Sequence, residues 1–153
     1  MKTLLAIGCL FASVPAFAAD NVALTSFVFV EKTVAAVGGK PKVVLAEPKV
    51  VLPGDKLVFI LNYRNLGSAP ARNFVVTNPM PGAVAFQGTN DQQAIVSVDG
   101  GRNWGRLSEL RLREKDGSAR SARAEDVTHV RWTLKQDVPA GAQGKLSFRG
   151  IVR

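Results

Sequence analysis

Gly54–Pro81 reads GDKLVFILNYRNLGSAPARNFVVTNPMP, and its alternation decides the fold. Leu57, Phe59, Leu61 and Tyr63 recur at every second position, the spacing of side chains on one face of a β-strand. Val58, Ile60, Asn62 and Arg64 occupy the other face. Two of these four are apolar, so the strand is expected to lie centrally with its second face partly covered. Asn65-Leu66-Gly67-Ser68-Ala69-Pro70 supplies turn chemistry: glycine admits positive φ, proline fixes φ, and asparagine tolerates the left-handed region. A second strand follows, with Phe74 and Val76 on one face and Asn73, Val75 and Thr77 on the other. Asn78-Pro79-Met80-Pro81-Gly82 ends it, because proline has no N–H to give to a ladder.

This run resembles the bacterial Ig-like conserved-repeat domain of exported and surface proteins, the family known as domain of unknown function eleven. Its pattern is roughly G-D-x-v-x-Y-x-i-x-v-x-N-x-G, then a-x-n-v-x-v-x-D-x-l-P. Gly54, Asp55, Phe59, Asn65, Gly67, Ala71, Asn73, Asn78, Met80 and Pro81 occupy those places. Phe59 stands where Tyr is usual, losing a hydroxyl, and Asn78 where Asp is usual, losing a charge. The resemblance resumes at Trp132-Thr133-Leu134, Pro139-Ala140-Gly141 and Lys145-Leu146-Ser147-Phe148. It implies an all-β chain, an Ig-like antiparallel β-sandwich of Greek-key type, and an exported location. The family carries no assigned activity, so the resemblance implies none.

Residues 1–18 read as a cleavable helical signal peptide. Lys2 gives a positive start, Leu4–Val14 is largely apolar, and Ala16-Phe17-Ala18 is an A-x-A cleavage signature with Ala19 beyond the cut. The apolar run falls short of the ~20 residues that span a bilayer, so no transmembrane segment is expected after cleavage. The sole cysteine, Cys9, lies inside this leader. The mature chain then has no disulfide, thiol nucleophile or cysteine-ligated metal. Removing 18 of 153 residues leaves 135 for a single domain, 19–153, large enough to bury one core without staples. At 46% hydrophobic and 21% charged the composition is that of a globular protein. No long segment has helical periodicity, whereas β-branched and aromatic runs recur between Gly, Pro, Asn and Asp, the mark of an all-β chain.

Ala19–Ala35 is apolar on both alternating faces, Ser26, Val28 and Val30 against Phe27 and Phe29. It reads either as a first strand packed in the sandwich or as a donor strand that completes a neighbouring subunit. In Val37–Pro53, Pro41, Pro48 and Pro53 interrupt the strand-like pieces Val43-Val44-Leu45 and Val50-Val51-Leu52, which reads as a sheet edge. Lys40, Lys42 and Lys49 along it discourage edge-to-edge aggregation. Ala83–Phe86 and Ala94–Val98 are short strands joined by the polar loop Gln87–Gln93.

Ser97-Val98-Asp99-Gly100-Gly101-Arg102-Asn103-Trp104 is similar to the Asp-box hairpin of sialidase-type propellers. Asp99 is expected to accept from turn amides, Gly100 and Gly101 to take positive φ, and Trp104 to pack beneath. A single copy points to a turn, with Trp104 as candidate glycan contact. Arg106–Asp126 is the most charged stretch. Lys115-Asp116-Gly117-Ser118 reads as a hairpin turn, and Ala119–Ala124 as a basic loop tip. Arg106, Arg111, Arg113, Arg120 and Arg123 are the candidate polyanion contacts. Thr128–Leu134 alternates Val130, Trp132 and Leu134 against His129, Arg131 and Thr133, which places His129 in solvent. A link around Gly141 leads to the last strand, Lys145–Val152, with Leu146, Phe148 and Gly150 on one side.

One histidine without an orienting carboxylate gives no catalytic triad, and with no second histidine and no cysteine a metal site lacks ligands. No catalytic residue, cofactor or metal is therefore expected. The formal net charge of +8, or +7 once Lys2 is removed, favours weak association with polyanions such as lipopolysaccharide or acidic glycans. No motif that reads nucleic-acid sequence is present, since few aromatics interleave with the basic residues. The expected function is a non-catalytic exported module, periplasmic or at the bacterial cell surface, that contacts other envelope proteins or itself. The alternatives are a filament or adhesin subunit assembled by N-terminal strand donation, and a glycan-binding protein using the Asp-box-like turn.

Overall fold

The computed structural model describes residues 21–35 and 38–153. The signal-peptide reading, with Ala16, Ala18 and Ala19, lies outside the described residues. The described chain is all-β. Its strands are β1 (Val22–Val34), β2 (Lys42–Ala46), β3 (Lys56–Asn65), β4 (Val75–Pro79), β5 (Val84–Gly88), β6 (Ala94–Ser97), β7 (Arg111–Arg113), β8 (Ala119–Ser121), β9 (His129–Thr133) and β10 (Gln143–Val152). They form a five-stranded sheet ordered β2-β1-β3-β10-β5, a three-stranded sheet ordered β4-β9-β6, and the hairpin β7-β8. Every pairing is antiparallel.

The alternation read from the sequence places the core. On β3, Leu57, Phe59 and Leu61 are buried, and in register beside them on β10 lie Gly150, Phe148 and Leu146. The smaller sheet contributes Val76, Val96, Val130 and Trp132 to the same cluster. Phe148 is 0% exposed at its centre. Its ring stacks on Phe59 at 4.5 Å between centroids, with Trp132 at 6.0 Å and Phe86 at 6.4 Å. Burying each such ring stabilises by about 1.5–3 kcal/mol, and aromatic pairing adds about 0.5–1.5. A phenylalanine suits position 59, because a hydroxyl stacked against Phe148 would need a polar partner inside an apolar cluster.

The corner after β3 is held by one side chain. Asn65 is 1% exposed. Its Nδ2 donates to Ala69 O and Val138 O, both at 2.8 Å, and its Oδ1 accepts from Gly67 N at 2.9 Å. Its backbone N–H donates to Ala142 O, and its carbonyl accepts from Gly141 N. Gly141 does this at φ +75°, where a side chain would be strained. The single amide thus joins the β3 corner to the link that feeds β10. At the other end of β3, Asp55 Oδ2 accepts from Leu52 N at 2.8 Å, while Gly54 N donates to Val152 O. Asn78 Nδ2 donates to Pro79 O at 2.8 Å, a bond an aspartate could not make. Met80 N donates to Thr128 O at the Pro81 corner.

Two sequence expectations are corrected. Val50-Val51-Leu52 forms no strand. Prolines bracket it at Pro48 and Pro53, and Leu52 N is drawn to Asp55 rather than to a ladder. Ala119–Ser121 is strand β8 rather than loop tip; the tip is Glu114–Ser118, closed by Glu114 N donating to Ser118 O, with Gly117 at φ +88°. The first-strand alternative for Ala19–Ala35 takes shape as β1, which pairs with β3 of its own chain from Val22↔Asn65 to Val30↔Leu57. Yet β1 adds only Val30 to the core cluster. The three-stranded sheet lies over the β3-β10-β5 side, and β1 with β2 overhangs it.

Replacing Asn65 with Leu leaves Ala69 O, Val138 O and Gly67 N without their partner at nearly the same volume. The expected loss is about 2–4 kcal/mol of unfolding free energy in urea. A loss under ~1 kcal/mol would show that the corner is held by other contacts.

Candidate functional site

The Asp-box-like turn is built outward from β6. Ser97, fully buried at the strand end, donates its hydroxyl to Asp99 Oδ1 at 2.8 Å and accepts from Gly101 N at 2.9 Å. Asp99 Oδ1 also accepts from the N–H groups of Arg102 and Asn103 at 3.0 Å, and Oδ2 from Asn103 Nδ2 at 2.6 Å. These bonds, the Asn103 backbone N–H first among them, hold the Asp99 carboxyl far below the usual carboxylate range. Gly100 and Gly101 stand at φ +78° and +90°. Trp104 closes the turn, its Nε1 donating to Gly101 O at 2.8 Å.

The Trp104 ring lies half-buried against the face of β9 that points away from the core. The Arg131 guanidinium sits 3.6 Å from the ring centroid, a cation–π contact. Arg131 Nε donates to Thr77 Oγ1 at 3.0 Å, which fixes it there. His129 meets the ring edge-on at 6.2 Å and is itself half-buried, a departure from the solvated position its strand face suggested. Its Nδ1 lies 3.0 Å from Thr128 Oγ1. A sugar stacking on the Arg131 side of Trp104 would have to displace a guanidinium.

The candidate polyanion residues divide. Arg120 grips Asp126 with two bonds, Nη1 to Oδ2 at 2.6 Å and Nη2 to Oδ1 at 2.8 Å, and its Nε bonds Glu114. The pairing raises the Arg120 guanidinium above its ordinary value and holds the Asp126 carboxyl below its own. Arg123 lies 3.8 Å from Glu125. Arg106, Arg111 and Arg113 are exposed, with no salt-bridge partner among the described residues. The charged hairpin reaches the rest of the chain through two 3-10 turns, Leu107–Glu109 against β6 and Ala124–Asp126 against β5. An open cleft of about 550 Å³ between the β5 and β6 edges is lined by Phe86, Asp91, Ala94, Val96, Arg106 and Leu107.

Most of the exposed large hydrophobic residues lie elsewhere. Nine of the eleven large hydrophobic residues exposed among the described residues fall between Leu24 and Leu52, six of them on β1 and β2 and three in the loop that leads from β2 to β3, which puts most of the uncovered residues on the overhang. Leu24 (47% exposed) and Val28 (36%) point to the core side of β1, beyond the reach of the smaller sheet. Phe27 (44%) points to the other side, beside a half-buried Phe29 at 6.4 Å between ring centroids. From Val22 to Phe29, β1 pairs only with β3, so its second edge carries no strand among the described residues. The signal for this was present in the sequence: Asn21–Val30 contains no charge, no proline and no glycine. Apolar alternation on both faces reads equally as a covered strand, and that is why the exposure was missed.

Among the described residues no three or more His, Cys, Asp or Glu side chains cluster as a metal site would need, and no helix is long and apolar enough to cross a membrane. The chain matches no family model, no curated protein and no solved structure.

Asp99, Asp116 and Asp126 all ionise more readily folded than unfolded. A depressed carboxyl stabilises the fold above its unfolded value of about 3.9 and stops doing so as pH falls toward the folded value. The melting temperature should therefore drop as pH falls below about 4, and Asp99→Asn, which cannot titrate, should drop less over the same range. Equal slopes would show that the turn carboxylate is not coupled to stability.

Proposed function

We propose that the chain is an exported Ig-like module of a bacterial envelope that works by protein–protein contact without catalysis. The observation that carries this reading is the β1–β2 overhang, where apolar side chains on both faces of a sheet margin stay in solvent. Contiguous exposed apolar surface of this kind marks an interaction site. Two antiparallel sheets sharing one core, with a buried Asn65 at the corner of the Gly54–Pro81 run, support the Ig-like assignment. The leader-like N-terminal sequence supports export, to the periplasm or the cell surface. The exposed Arg106, Arg111 and Arg113 support a secondary, salt-sensitive attraction to lipopolysaccharide or acidic glycans.

Contact by a folded surface is favoured over donation of the N-terminal strand. Nine β1 residues are in register with β3 of the same chain, and donation would have to break that ladder.

A photo-crosslinking amino acid at Phe27 or Leu45, introduced in the expressing bacterium, should yield covalent adducts with an envelope protein or a second copy. The same probe at Lys135 should yield few. Absence of adducts from the overhang, or turnover of any substrate by the pure protein, would overturn the reading.

A further inference from the structure

The open edge of β1 differs from every other margin of the two larger sheets in the described chain. β2 is five residues long and begins with Lys42. β5 ends in a register shift opposite Arg149–Gly150 and packs against the Ala124–Asp126 turn. β4 is five residues long and ends in Pro79. β6 has its outer edge already bonded, with Val96 and Gly105 exchanging both backbone hydrogen bonds. Each of these is a device that discourages strand addition. Val22–Phe29 has none of them: it is eight residues of uncharged, mostly β-branched and aromatic sequence with one row of backbone groups unpaired by any strand among the described residues.

We infer that this edge pairs with the same edge of a second copy, joining two five-stranded sheets across a two-fold axis near Thr25–Ser26. The inference rests on the contact reading above and adds the partner and the surface. Antiparallel self-pairing sets odd-numbered residues against odd and even against even, because side chains alternate across a strand. Phe27 and Phe29 then extend one apolar strip across the axis, and Leu24 and Val28 meet their counterparts on the opposite face. No charge lies between Asn21 and Val30, so the two-fold brings no like charges into opposition at the seam.

Charge placement favours a second copy despite the net charge of +8. The Arg106–Arg123 stretch packs by way of β5 and β6, whereas β1 lies at the far side of the β2-β1-β3-β10-β5 sheet. Pairing through β1 puts the two basic hairpins at the outer ends of the joined sheet, well beyond the ~8–10 Å over which salt screens them. Because the other margins of the two larger sheets are blocked and the β7-β8 hairpin strands are only three residues long, the contact uses the same patch on both copies and closes as a dimer instead of growing into a filament.

The test is the molar mass of the purified full chain across a concentration series, with two kinds of variant. The wild-type chain should move from monomer to dimer and no further. Phe27→Lys, a change at an exposed position, should abolish the dimer while leaving the melting temperature near that of the wild type. In a Cys9→Ser background, Thr25→Cys or Ser26→Cys should form a disulfide-linked dimer on mild oxidation, and Thr33→Cys should not. This second readout stands if Phe27→Lys fails to fold. A chain that stays monomeric at all concentrations, or a dimer indifferent to Phe27→Lys with no crosslink at either central position, would overturn the inference. If such a monomer still gave adducts with another envelope protein from Phe27 or Leu45, the general contact reading would survive and only the second copy would be excluded.

Discussion

A three-stranded sheet can cover only part of a five-stranded one, and the rest of this structure follows from that mismatch. Where β4-β9-β6 lies over β3 and its neighbours, side chains on facing strands interlock around Phe148, and burial approaches completeness. Where it does not, the same alternation that builds the core leaves Leu24 and Val28 in water. β1 is in this sense half a core strand. Its ladder to β3 is long and regular, so it is fixed in place, but most of the apolar surface it brings is unspent. Hydrophobic burial is the dominant favourable contribution to folding and to association alike, so what folding leaves exposed is available to a partner.

The glycine, asparagine and aspartate positions around β3 gain a mechanical reading from the bonds they make. The asparagine and glycine after β3 are an amide and the turn it closes, and the glycine of the Pro139-Ala140-Gly141 link returns a bond to Asn65. The opening Gly54-Asp55 pair ties the start of β3 to the end of β10 and to its own turn. These positions hold loops to strands, which is a role in architecture. Two side chains nearby are explained locally: Phe59 is stacked in an apolar cluster, and Asn78 uses a donor that an aspartate lacks.

Most of the fold was legible because strand periodicity is local. β3, β4, β9 and β10 follow from alternation, and the Asp99 turn follows from residue chemistry alone. What was not legible depends on contacts distant in sequence. Val50-Val51-Leu52 has strand composition but no open ladder to join. Arg120 reads as a free cation until Asp126 and Glu114 are brought to it. Trp104 reads as a buried or a sugar-facing ring, and only the register of β9 shows that Arg131 lies over it. The overhang was hidden for the same reason, since the width of the opposing sheet is not written in the strand it fails to cover.

The two ends of the large sheet therefore differ in character. Beside β5 sits a polar, basic hairpin whose Arg120 pairs are internal and whose remaining arginines face solvent; at β1 sits an uncharged apolar margin. This polarity is the central claim, and amide hydrogen exchange tests it most directly. Measured on the full chain at low and at high protein concentration, the amides of β3 and β10 should be slow at both. Those Val22–Phe29 amides that point away from β3 should be fast when dilute and become protected when concentrated. Protection of these amides that is the same at both concentrations would contradict the account.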